Sequence, residues 1–415
     1  MQHKSREGQA GRSGWLALLC GLLCFSATSF SAVTVLPEAS PPYSTQRLLI
    51  ESQRLQQPRE IQVRLPAAYL AAQAAGRQDL RFPVLYLLDG EAPNLTLLPG
   101  ILDALSHWGK APEVILVSIA NIDRNKDFTP VPQPQWPTTG QADAFLDFIQ
   151  FELQPLINQR YRTAPGPVLL GHSFGGLLAT YCMLTRPSLF RAYLTASPYL
   201  HYADNLLLQQ AAPQLASLPA SVALYTATLG NEPEYQAALQ QFELLLQQHA
   251  PASVQTRFWH LPEEDHLSVP GPAYHQALRL WWADWAPKAP ASLAELQQHF
   301  ARRSQLDGYV IQIPELQLHG LGQRLLQAAN QAGLSSTAQT QQRAEAYAVF
   351  LQQALLYPAS LRAQDNLAAA ALAQQQPVLA SGHYRRALEL AAAKGQQDKI
   401  EFYAAKIKTL DKRKF

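Results

Sequence analysis

The residues best placed to do chemistry in this 415-residue chain are Ser173, His266 and Glu232. Ser173 lies in Gly171-His172-Ser173-Phe174-Gly175, with the apolar run Val168–Leu170 before it and a helix-forming stretch to Leu184 after it. A serine on a strand-to-helix turn of this kind leaves room only for small residues two positions to either side. Its hydroxyl stands clear of the backbone, and the first N–H groups of the helix point at the same spot. Such a site suits attack on an acyl carbon, with the oxyanion that develops met by backbone donors.

Serine is a weak nucleophile at neutral pH and needs an adjacent base, usually a histidine oriented by a carboxylate. In parallel sheets of this kind the chain order is serine, acid, histidine. His266 follows the strand expected over Thr256–Leu261 and precedes the last helix of that region, which is where the base belongs. His260 reads as a packed strand-end residue and His275 as a helix residue. His172 reads as a neighbour of the nucleophile on the substrate side, not as the base. Glu232 closes the strand, turn and carboxylate run Tyr225–Glu232 and is the expected acid, with Glu234 as alternate. Glu263, Glu264 and Asp265 are too near His266 in sequence to orient its ring well. The competing reading makes all of these solvated loop carboxylates. For the oxyanion, the Phe174 N–H is the first expected donor, and Gly90 or Glu91, after the strand Val84–Leu88, supplies the second.

The elements that must hold these residues alternate. Arg47–Ser52 and Glu60–Leu65 read as half-buried strands; Phe82–Leu88, Val114–Ala120, Val168–Leu170, Ala192–Ala196 and Ala223–Thr228 read as strands buried on both faces. Helical periodicity falls between them at Leu97–Leu105, Asp143–Leu153, Gln236–Gln248 and Ala273–Trp285. This pattern predicts a doubly wound, mostly parallel sheet covered on both faces, with its site outside the carboxyl ends of the strands. Beyond Pro287-Lys288-Ala289-Pro290 the pattern changes to short Ala-, Leu- and Gln-rich helices over Ala344–Leu356, Arg362–Gln374, His383–Lys394 and Lys399–Leu410, with Tyr309–Ile313 as the sole strand candidate. Ala346 and Phe350 recur 34 residues later as Ala380 and Tyr384, the period of tetratricopeptide helix pairs.

Bulk properties set the frame. Lys and Arg number 33 against 31 Asp and Glu, with no basic stripe, so nucleic acid is not an expected partner. Lys4, Arg6 and Arg12 precede an apolar core at Trp15–Phe25 and small residues to Ala32, the layout of a secretory signal peptide; an uncleaved membrane anchor is the alternative. Cleavage would remove Cys20 and Cys24 and leave Cys182 alone, read as core packing. The expected organisation is a signal peptide over 1–32, an α/β domain over 33–286 and a smaller all-α, tetratricopeptide-like domain over 287–415. The expected location is the periplasm or outside the cell, without stable membrane insertion once the signal is removed. No metal-ligand spacing or phosphate loop points to a cofactor.

Several stretches together resemble the esterase family of α/β hydrolases that includes the esterase D-like S-formylglutathione hydrolases and the enterochelin and salmochelin esterases. They are Phe82–Gly90, Val117–Pro130, Ala144–Phe148, Gly171–Gly176 and Glu264-Asp265-His266, in that order along Arg47–Trp285. The resemblance implies an α/β-hydrolase fold and serine carboxylic-ester hydrolysis by Ser173, His266 and Glu232 on a small-molecule ester. It also draws attention to Arg124 and Asp127, either as substrate contacts beside His172 or as a buried pair holding their loop. A siderophore trilactone is the sharpest substrate expectation. Short esters, plant-polymer acyl groups and acyl transfer are the alternatives, and formylglutathione is disfavoured for an exported chain. The non-enzyme alternative is an inactive hydrolase fold whose C-terminal helices bind a protein partner.

Overall fold

A computed structural model describes residues 43–91, 93–331 and 333–412. The expected signal peptide, with Cys20 and Cys24, lies outside these residues.

Among the described residues eight strands form one sheet: β1 (Ser44–Ser52), β2 (Gln57–Leu65), β3 (Val84–Leu87), β4 (Ile115–Ile119), β5 (Val168–His172), β6 (Ala192–Ala196), β7 (Leu224–Leu229) and β8 (Gln255–His260). Their spatial order is β1-β2-β4-β3-β5-β6-β7-β8. β1 and β2 form an antiparallel hairpin and β2 meets β4 antiparallel; all further pairings are parallel. The central strands are buried on both faces, so their side chains divide by the two-residue period of a strand. Tyr86, Leu169, Tyr193 and Tyr225 enter one core, with the helix Phe174–Thr185. Leu85, Leu87, Leu170, Leu194 and Leu224 enter the other, with the helices Asn94–His107 and Pro270–Trp281. β1 keeps an alternating exposed face, as an edge strand does.

The helix expected over Asp143–Leu153 is longer, from Ala142 to Arg160, and passes through a π turn at Ile149–Leu153. There the Glu152 carboxylate clamps the β1–β2 turn, accepting from the Ser52 hydroxyl at 2.6 Å and from the Gln53 and Arg54 N–H groups at 3.0 Å each. Cys182 is fully buried, and burial raises its thiol to about 12, as expected of a packed and inert cysteine.

Among the described residues six helices follow β8 and its helix: Leu293–Asp307, Glu315–Ala329, Ser336–Leu356, Leu361–Ala373, Pro377–Ala393 and Gln397–Lys412. The first three extend the second core, where Leu296, Phe300, Leu318, Leu321 and Val349 join Leu102, Tyr274, Trp282 and Trp285. The last three build a core of small residues, Ala368, Ala371, Ala380, Ala387 and Ala391, around Tyr384 and Tyr403. The residues of the 34-residue echo, Ala346, Phe350, Ala380 and Tyr384, are all buried. Gly322 is a close approach, since a Cβ there would come within 2.3 Å of the Phe350 ring. The expected strand at Tyr309–Ile313 does not form. That segment is an extended link whose Ile311 and Ile313 alternate because they point into the second core, not because they pair with a sheet. Among the described residues no helix is long and apolar enough to cross a membrane.

Candidate active site

Ser173 leaves β5 with φ 58° and ψ −118°, conformations that a non-glycine residue adopts only under constraint. The constraint is local. Its N–H donates to the Ala196 carbonyl at 3.0 Å, and its own carbonyl accepts from Leu177 at 2.9 Å and Tyr199 at 3.1 Å. The flanking glycines make the turn feasible, because a Cβ on Gly171 would lie 2.2 Å from the Gly175 oxygen. The serine is buried, at the start of the helix Phe174–Thr185, whose first N–H groups have no intrahelical acceptor.

Glu232 follows β7 through the Gly230-Asn231 turn and is 4% exposed. Its Oε1 meets Nδ1 of His266, while Oε2 accepts from the Ser197 hydroxyl and, at 3.1 Å, from the Gly230 N–H. The His266 loop is pinned to this turn by Asn231 N–H on the Glu264 carbonyl at 2.6 Å. Asp265 shapes the loop instead of orienting the imidazole: its carboxylate accepts from the Leu267 and Ser268 N–H groups at 2.9 Å each, which hold it below the usual carboxylate range. Glu234, the alternate acid, is exposed in the first turn of the helix Pro233–His249, and Glu263 is exposed as well. The structure therefore brings Glu232 against His266 and leaves the other carboxylates apart. His260, expected to be packed, is exposed, because β8 is the open edge of the sheet.

His172 lies beside His266, with ring centroids 4.6 Å apart. Burial lowers its pKa to about 4, reinforced by the neighbouring His266. It is thus neutral where a charged ring would oppose an imidazolium on His266.

Three expectations need correction. Gly90 is not a free oxyanion donor, because its N–H is taken by the Ile119 carbonyl at 2.9 Å. Glu91 is the remaining candidate on that loop; its carboxylate is bound by the Asn121 N–H, and its own N–H has no acceptor among the described residues. Arg124 and Asp127 do not pair with each other. Arg124 chelates Asp89, at 2.9 and 3.1 Å, and lies 5.4 Å from the centre of the Phe174 ring, at the edge of the site. Asp127 is 1% exposed and meets the equally buried Arg59 at 2.6 Å, so it is closed to substrate. Burial raises its carboxyl against the opposing pull of Arg59.

Sequence reading missed an aromatic wall. Tyr235 stands 5.2 Å from the His266 ring and 5.3 Å from Tyr199; Tyr199 stands 5.1 Å from Phe174, and Trp136 5.6 Å from Phe174. Trp136 also stacks on Tyr202 at 6.0 Å and 12°. The Tyr235 phenol is raised by burial and by the Glu232 carboxylate, so it stays a neutral donor. The signal was present in part: Tyr199 and Tyr202 lie just beyond a buried strand, at the carboxyl edge where ligands bind.

A mostly parallel sheet, a serine on a strained turn after its central strand, and a histidine met by a carboxylate after the following strands define an α/β hydrolase. Residues 52–306 match the model of the family described as Putative esterase, and the chain belongs to that family. It is 31% identical over 153 residues to the Ferri-bacillibactin esterase BesA of Bacillus subtilis, covering 31% of this chain and 52% of that protein. It is also 31% identical over 188 residues to the Siderophore triacetylfusarinine C esterase of Aspergillus fumigatus, covering 42% of this chain and 62% of the relative. The chain thus spans between half and two thirds of the length of these curated relatives. Among solved structures, an IroE-like serine hydrolase from Shewanella oneidensis superimposes with a TM-score of 0.59 at 27% identity, covering 75% of this chain and 99% of that one.

Proposed function

We propose that this protein is an exported serine esterase that hydrolyses carboxylic esters through an acyl-enzyme, with siderophore esters as its substrate class. Ser173 attacks the ester carbonyl as His266 accepts its proton, and the Phe174 and Glu91 N–H groups receive the oxyanion. His266 then protonates the leaving alcohol, and water repeats the sequence on the acyl-serine. Neutral His172 and carboxylate Glu232 favour the imidazolium that forms on the way. The single observation that carries this reading is the contact of Glu232 Oε1 with His266 Nδ1, which occupies that ring nitrogen and leaves Nε2 as the one available for proton transfer. Siderophore substrates are supported by the names of the relatives and by the aromatic wall with Arg124 at its rim, a surface suited to flat, electron-rich acyl groups. Export rests on residues 1–32. The segment 287–415 is read as a tetratricopeptide-like domain able to hold a protein partner.

The test is labelling with a fluorophosphonate, followed by hydrolysis of p-nitrophenyl esters and a catechol trilactone. Labelling should vanish in Ser173→Ala, and Glu232→Gln should lower kcat by about 10⁴, as loss of the orienting carboxylate does elsewhere. Equal labelling of wild type and Ser173→Ala would overturn the proposal, and near-wild-type turnover in Glu232→Gln would remove Glu232 from it.

A further inference from the structure

Only one oxygen of the Glu232 carboxylate faces His266. The other is held by the Ser197 hydroxyl and the Gly230 N–H. Ser197 is fully buried and follows β6 directly, with its N–H on the Thr228 carbonyl at 2.7 Å. Its φ is 39°, in the left-handed region that residues with a Cβ enter at a cost. A serine needed only to end a strand would remain extended. Here the backbone turns the wrong way for an L residue, and the hydroxyl meets the carboxylate. A carboxylate held at one oxygen alone can rotate about its Cγ–Cδ bond and lose its line to the imidazole. Two donors on Oε2 stop that rotation.

We infer that Ser197 is a positioning residue, whose hydroxyl fixes the rotation of the Glu232 carboxylate and, through it, the ring of His266. This rests on the catalytic reading of Ser173, His266 and Glu232 given above.

The experiment compares Ser197→Ala and Ser197→Gly in the full chain. Both should lose about tenfold in kcat, the size of a hydrogen bond to a charged group, with KM unchanged. Glycine accepts a φ of 39° without strain, so a serine with a merely structural role would be replaced by it at no loss of rate. The low-field NMR signal of the His266 Nδ1 proton reads the geometry without turnover and should shift in both variants. Wild-type kcat in Ser197→Gly, or an unmoved proton signal, would overturn the inference. A wild-type chain that does not label at Ser173 would break the catalytic reading instead, and the proton signal would still decide whether Ser197 orients His266.

Discussion

The carboxyl edge of the sheet and the C-terminal helices are built on opposite terms. At the edge, Asp89, Ser173 and Ser197 all hold positive φ, each immediately after a strand or one residue beyond it, and each aims a side chain at a polar partner or at the site. In the helices the serines keep ordinary negative φ: Ser292, Ser335 and Ser360 cap their helices through side-chain bonds to the third N–H, and the interior is packed with alanine. Serine serves both regions. At the edge its position costs stability in order to direct a hydroxyl; in the helices its hydroxyl satisfies a backbone donor and adds stability. The two serines with positive φ, Ser173 and Ser197, are therefore those at the edge, where chemistry needs aim.

The sharpest way to break this contrast is to shrink a serine in each region. Ser173→Gly should abolish ester hydrolysis, by about 10⁶ in kcat if it acts as other serine hydrolase nucleophiles do. It should also raise Tm, since glycine accepts a φ of 58° freely; a lowered Tm would show that Ser173 is not strained. An intermediate effect is expected from pH. His172 has its pKa lowered to about 4 in the fold against 6.5 when unfolded, so below pH 6.5 the unfolded chain binds the extra proton. Stability should therefore be full above pH 6.5 and fall, by on the order of 3 kcal/mol from this residue, as the pH drops toward 4. Urea denaturation of wild type and His172→Gln checks it, and parallel pH curves for the two would remove His172 from the account. The smallest effect belongs to the helices: Ser335→Ala should cost about 1 kcal/mol, the worth of an N-cap, with kcat unchanged. A change in kcat there would mean that the helical segment reaches into the site.

The features legible in the sequence were those set by local backbone rules. The turn at Ser173 announces itself through Gly171 and Gly175, and chain order leads from it to Glu232 and His266, which the fold brings into contact. Less legible was anything decided by distant partners. Arg124 and Asp127 are one helical turn apart and look like a pair, yet their actual partners are Asp89 and Arg59, from other strands and loops. The Gly90 N–H was lost to Ile119 on the neighbouring strand, which no local pattern encodes. The aromatic wall joins Trp136, Tyr199 and Tyr235 from three separate loops or helix starts. The helix Leu293–Asp307 was hard to read because it is rich in Gln and charge with a narrow apolar stripe, and Glu315–Ala329 because Gly320 and Gly322 interrupt its leucine pattern.

The shared second core also imposes an order of events during synthesis. Tyr274, Trp282 and Trp285 are made before Leu296, Phe300, Leu318, Leu325 and Val349, which join the same core. About 64 further residues after Trp285 must be added, some 3 to 13 seconds of translation at ordinary rates, before that wall can close. Until then the nascent chain presents a tryptophan-rich face with nothing to cover it, an open invitation to chaperones and to its own neighbours.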